Sequence, residues 1–82
     1  MPEIKRLRLD QLKTGERGVV EGYEGEADLH YRLKELGLVR GTGVQVKRFA
    51  PLGDPMEIVL RGYSLSLRKQ DAAKILVRLQ AL

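Results

Sequence analysis

Nine glycines fall at positions 15, 18, 22, 25, 37, 41, 43, 53 and 62 of an 82-residue chain. Glycine weakens the interior of helices and strands and supplies the backbone freedom that turns require. Punctuation this dense points to many turns joining short strands. The length allows one domain, expected over residues 1–82. Such a chain buries only ~60–65% of the surface that its unfolded form exposes. The core is therefore small, single-layered or barrel-like, with little room for a deep internal pocket.

The elements follow from hydrophobic spacing. In the opening LRLDQLKTGE, Leu9 and Leu12 lie three apart. One helical turn would face both inward, with Asp10 as its cap and Gly15 at its end. Residues 17–24, RGVVEGYE, read as a first strand with Val20 and Gly22 on one side and Val19, Glu21 and Tyr23 on the other. Its two glycines invite a bulge or sharp bend. Residues 26–36 predict a helix, because Leu29, Leu33 and Leu36 fall at i, i+4 and i+7 on a single stripe. Glu26 and Asp28 sit in its first turn, where the helix dipole favours anions. Gly37 supplies a left-handed cap, and Leu38 packs back beyond it.

After Gly41 and Gly43, Val44 and Val46 alternate with Gln45 and Lys47 in a second strand. Met56–Arg61 is a third strand. Gly62-Tyr63 is expected as a tight hairpin turn into a fourth, where Leu65 and Leu67 alternate with Ser64 and Ser66. The C-terminal segment fits both helical and strand periods. A barrel needs a last strand to cover its edge, so a helical turn over residues 70–73 and a strand over 75–80 are expected. The sum is a mostly β, small α+β domain. It is a five-stranded, partly open SH3-like barrel with one helix inserted at about 26–36 and a short helical turn near 70–73.

Reactive groups are few. The absence of cysteine excludes disulfides and thiolate metal sites and fits a reducing compartment. The N-terminus MPEIKRLRLD has no apolar core of a signal peptide, and no apolar run approaches the ~18 residues of a membrane span. Lys13-Thr14-Gly15 and Ser66-Leu67-Arg68-Lys69 match two fragments of penicillin-binding enzymes, but in reversed order and without the third element. No Walker-type phosphate loop is present. His30 is the single histidine, and no nucleophile or orienting partner can be named for it. Glu26 and His30 are four apart on the helix and, with Asp28, are the candidates for a surface metal ion. Two or three such weak ligands do not make a closed site. No catalytic residue and no cofactor is expected.

The formal charge is +4, from fifteen Lys and Arg against eleven Asp and Glu. Cationic runs are two residues long at most and aromatics are scarce, so a nucleic-acid interface is not the first expectation. Its best stripe would join Lys47, Arg48, Arg61 and Arg68 across adjacent strands. Edge strands of an incomplete barrel would also allow copies of the chain to pair with each other.

The ordered set Arg32, Leu33, Leu36, Gly37, Leu38 and Gly41, then Ala50-Pro51-Leu52-Gly53-Asp54-Pro55, then Gly62, Tyr63, Leu65, Leu67 and Arg68, and finally Ala72 and Ala73 resembles the FeoA family of ferrous iron transport accessory proteins. The opening Leu9 to Gly25 is similar to that family's start as well. The resemblance implies an SH3-like barrel and a cytoplasmic bacterial protein without catalysis of its own. It also implies a partner, FeoB, the membrane protein that imports ferrous iron and carries a cytoplasmic G domain. The Leu-Gly-Leu-x-x-Gly signature also occurs in the C-terminal interaction domain of iron-dependent repressors. A stand-alone relative of that domain is the alternative, beside a small basic barrel that binds nucleic acid.

The FAPLGDP loop then acquires a purpose. Pro51 and Pro55 fix φ and lower the unfolded loop's entropy, while Gly53 supplies permissive backbone and Asp54, before Pro55, is pushed towards extended geometry. A stiff loop presents Leu52 with little ordering cost on binding. Pro51, Leu52, Gly53, Asp54 and Pro55 are the candidate protein-interaction residues. The competing reading has Leu52 tucked under the barrel and the loop closing its open end.

Overall fold

Alternation decides which side of each strand is buried. In the strand Arg17–Tyr23 (β2), Gly18, Val20 and Gly22 are buried while Val19, Glu21 and Tyr23 are only half covered. Gly43–Phe49 (β3) buries Val44 and Val46, and Met56–Leu60 (β4) buries Met56, Ile58 and Leu60. Tyr63–Leu67 (β5) and Ile75–Gln80 (β6) complete the set expected from the sequence. A sixth strand, Arg6–Arg8 (β1), precedes them. The computed structural model describes residues 6–80. In it the strands form one antiparallel sheet in the order β1-β6-β2-β3-β4-β5, so β1 and β5 are its edges. The inward faces meet in a core with Leu9, Leu12, Leu33, Leu38, Ala72, Ile75 and Val77.

Two bulges bend the sheet. Val20 pairs with Val77 and Gly22 with Leu76, which leaves Glu21 as the extra residue of β2. Val46 pairs with Ile58 and Arg48 with Glu57, which leaves Lys47 extra in β3. A bulge shifts the alternation by one residue. Arg48 would otherwise point into the core after Val44 and Val46; the bulge turns it outward beside Lys47.

Helix α1 (Ala27–Glu35) fills the connection from β2 to β3. It ends as Gly37 allows: Gly37 has φ +93°, its N–H donates to the Lys34 carbonyl (3.0 Å), and the Leu38 N–H donates to the Leu33 carbonyl (3.0 Å). These are the two bonds of a Schellman cap, and Leu38 is fully buried behind them. The short helix α2 (Lys69–Ala72) leads into β6.

Four local expectations are corrected. An unexpected strand, β1, gives the barrel six strands, while the helical turn expected after it stands as a 3-10 turn over Leu9–Gln11 with Leu9 and Leu12 buried. Asp10 does not cap that turn; the cap position is Arg8, whose N–H donates to Gln11 Oε1 (2.7 Å). Of the leucine stripe on α1 only Leu33 is fully buried, and Leu36 is 39% exposed, because the chain leaves the helix there and turns under the barrel through Leu38 instead. The β4–β5 turn is Arg61-Gly62, with φ +48° and +83°, closed by the pair Leu60–Tyr63. Tyr63 belongs to β5. A two-residue turn with both φ values positive matches the twist of its strands.

Candidate functional site

The six residues between β3 and β4, Ala50 to Pro55, form a loop tied by its own backbone. The Ala50 N–H donates to the Pro55 carbonyl (2.9 Å), and the Gly53 N–H donates to the Ala50 carbonyl (2.7 Å). Asp54 reaches further: its Oδ1 accepts the Lys69 N–H (3.0 Å), one of the free donors at the start of α2. The Asp54–Pro55 peptide is cis. These bonds hold the loop at both its base and its flank.

Of the five residues singled out in the sequence, Pro51, Leu52, Asp54 and Pro55 are exposed and Gly53 is half covered. Leu52 is 97% exposed, so it is not tucked beneath the barrel. The five do not play equal parts. Asp54 anchors, Gly53 turns with φ +89°, and Pro51, Leu52 and Pro55 form the outward surface. Beside them lies a shallow recess of about 300 Å³, lined by Phe49, Ala50, Pro51 and Pro55 and by Arg48, Glu57 and Ser66. Phe49 and Ala50 lie outside the five residues singled out from the sequence.

The strand floor next to the loop carries a three-membered ion-pair cluster. Glu57 receives both cations that the β3 bulge turns outward: Arg48 Nε lies 2.9 Å from Oε2 and Lys47 Nζ 3.3 Å from Oε1. The Arg48 hydrogen bond, with Lys47 assisting, holds the Glu57 carboxyl below its ordinary range despite partial burial. Two of the four residues of the expected cationic stripe, Lys47 and Arg48, thus share one carboxylate, which offsets part of its charge.

Of the candidate metal ligands, His30 is engaged with its own neighbours. His30 Nε2 lies 3.2 Å from the Glu24 carbonyl oxygen, and its ring leans on Tyr23 with centroids 5.2 Å apart. Glu26 sits at the exposed N-cap without a side-chain hydrogen bond. Among the described residues no three His, Asp or Glu side chains converge.

Two tyrosines take roles that no sequence pattern marks. The Tyr23 hydroxyl donates to the Leu38 carbonyl from β2, and the Tyr63 hydroxyl donates to the Leu36 carbonyl (2.5 Å) from β5. Both satisfy carbonyls at the exit of α1. Burial raises the Tyr23 phenol above its ordinary pKa, and Arg40 partly offsets that.

Comparison with known proteins gives a consistent picture. Residues 7–79 match the family described as FeoA domain. A Fe(2+) transport protein A/Fe(2+) transporter FeoB fusion protein of Porphyromonas gingivalis is 41% identical over 73 residues, which are 89% of this chain but 9% of that protein. The NMR structure of a FeoA-like protein from Clostridium acetobutylicum superposes with a TM-score of 0.88 at 36% identity, covering 98% of this chain and 93% of that one. A FeoA from Stenotrophomonas maltophilia, an SH3 domain protein complexed with zinc, gives a TM-score of 0.75 at 28% identity, covering 87% and 88% of the two chains.

Proposed function

This chain belongs to the FeoA family, and from that premise we propose that it is a non-catalytic, cytoplasmic accessory protein of ferrous iron uptake. It acts as a protein-interaction module on a FeoB-type membrane transporter. The observation that carries this reading is the fusion protein of P. gingivalis, whose name joins transport protein A to transporter FeoB in a single polypeptide. A fused pair holds its two parts at high effective concentration, which serves parts that work in contact.

The docking element on this side is the loop Ala50–Pro55, and the receiving element is the transporter's cytoplasmic G domain. Support comes from the loop's build: it is hydrogen-bonded before any partner arrives and carries a nearly fully exposed leucine at its tip. Burying one leucine contributes about 2 kcal/mol, which a pre-ordered loop delivers with little entropic loss.

The test is direct binding of the full chain to the G domain of a FeoB-type transporter, with and without guanine nucleotide. Leu52→Asp should keep the wild-type melting temperature and weaken binding at least tenfold, that is by about 1.4 kcal/mol. Undiminished binding by Leu52→Asp removes the loop from the interface. No binding by the wild type in any nucleotide state overturns the partner.

A further inference from the structure

The edge strand β5 is open in a way that β1 is not. Its hairpin with β4 is closed by the pair Leu60–Tyr63 around the Arg61-Gly62 turn. In such a hairpin the closing pair exchanges both hydrogen bonds, and hydrogen-bonded and non-hydrogen-bonded pairs then alternate. Tyr63, Leu65 and Leu67 thus spend their backbone groups on Leu60, Ile58 and Met56. Ser64 and Ser66, opposite Val59 and Glu57, turn their N–H and C=O groups away from the sheet. Among the described residues no other backbone or side chain bonds to them.

Native sheets guard such edges with charges, prolines, bulges or very short strands. The opposite edge obeys: two of the described residues of β1, Arg6 and Arg8, are arginines. β5 has none of these devices. It runs five residues, about 17 Å, in register without a bulge, and its two outward-facing residues are small, neutral, exposed serines.

Charge selects what the edge would accept. Arg68 and Lys69 stand at one end of β5, both exposed and neither in a salt bridge among the described residues, while Arg61 at the other end turns its guanidinium to Thr42 Oγ1 (3.3 Å) beside β3. The acids nearby are engaged: Glu57 by Lys47 and Arg48, and Asp54 by the Lys69 N–H. A second copy is a poor match. Two β5 strands paired antiparallel about Leu65 would set Arg61 of one against Lys69 of the other, twice over.

We propose that β5 is a docking edge that takes an extended, acidic segment of another protein as a seventh strand, with carboxylates at the end of the segment meeting Arg68–Lys69. Backbone bonds to Ser64 and Ser66 supply the affinity and the terminal charges supply the selection. This edge adjoins the recess beside the loop through Ser66 but does not use Leu52, so it stands whether or not the loop tip meets a G domain.

Amide hydrogen exchange on the unmodified full chain tests it. Two synthetic peptides share a Thr-Val-Thr-Val-Thr centre, one flanked by two glutamates at each end and the other by two lysines. With the glutamate peptide at low salt, exchange at Ser64 and Ser66 should slow at least about tenfold, and added salt should reverse this. The lysine peptide should bind roughly tenfold more weakly or worse. Ser64→Pro removes an outward N–H without touching the β4 ladder, so it should abolish the effect and leave the melting temperature within a few degrees. Unchanged exchange at Ser64 and Ser66, or equal effects of the two peptides, overturns the proposal. So does protection that appears on raising the protein concentration alone, which would make a second copy the occupant. If Ser64→Pro does not fold, the exchange of the unmodified chain still decides.

Discussion

Replacing Gly37 with alanine probes the junction where helix, barrel and edge strand meet. Gly37 has φ +93°, a region that a side chain makes costly by about 1–2 kcal/mol. A Cβ there would also lie 2.6 Å from the Tyr63 hydroxyl oxygen. That oxygen is the far end of a side chain, so it can retreat, but only by giving up its bond to the Leu36 carbonyl. The lost hydrogen bond adds about 1 kcal/mol. Gly37→Ala should therefore destabilise by about 2–3 kcal/mol, a fall of roughly 10–20 °C in melting temperature for a domain of this size. Gly41 is the internal control: its φ is +91° and nothing lies within 4 Å of its Cβ position. Gly41→Ala should show the backbone part alone. In a Tyr63→Phe background the extra loss at Gly37 should vanish, giving a coupling of about 1 kcal/mol in a double-mutant cycle read by urea denaturation. Equal losses at Gly37 and Gly41, with no coupling to Tyr63, would refute the claim that the tyrosine hydroxyl occupies the space this glycine leaves open.

Three further outcomes are expected. Glu57 is depressed by Arg48 and Lys47, so its ion pairs stabilise the fold above the ordinary carboxylate value of 4.5 and that contribution fades as pH falls through the lower folded value; the melting-temperature gap between wild type and Glu57→Gln should be present at pH 7 and close in acid. Tyr23 is raised, so the sign reverses: its contribution is complete below the ordinary value of 10.0 and is lost as pH rises through the higher folded value. Tyr23→Phe should cost about 1 kcal/mol at neutral pH and converge with wild type in strong alkali, measured by thermal melts. Ile58, fully buried at the centre of β4, should cost about 2–5 kcal/mol when cut to alanine, read by urea denaturation.

What could be read in the sequence was what repetition enforces. Leu29 and Leu33 with Gly37 marked the helix, found at Ala27–Glu35, and the alternations of β3 and β5 lie where the valines and leucines put them. The last strand occupies residues 75–80 as the need for a covered edge required. Elements that depend on a neighbour were illegible. In β1 a single leucine between two arginines carries no period, and the strand exists because β6 offers Arg78, Val77 and Leu76 as partners. Arg61 at positive φ has no sequence signature, since asparagine or glycine is the usual occupant. The loop was conspicuous through its prolines, yet composition could not choose between an inward and an outward Leu52. Nor could it show that Lys47 and Arg48 share one carboxylate, because that follows from a bulge visible only in the pairing register.

The unequal ends of α1 have a mechanical consequence. Its exit is riveted by Tyr23, Tyr63 and the buried Leu38, while its front, at Glu26, has no side-chain bond to latch it. The helix is therefore expected to fray first at Ala27 and Asp28, ahead of His30, which holds to Glu24 and Tyr23. The barrel keeps its seal when that leading turn opens, because Leu38, the leucine that corks the core, lies beyond the helix's far end.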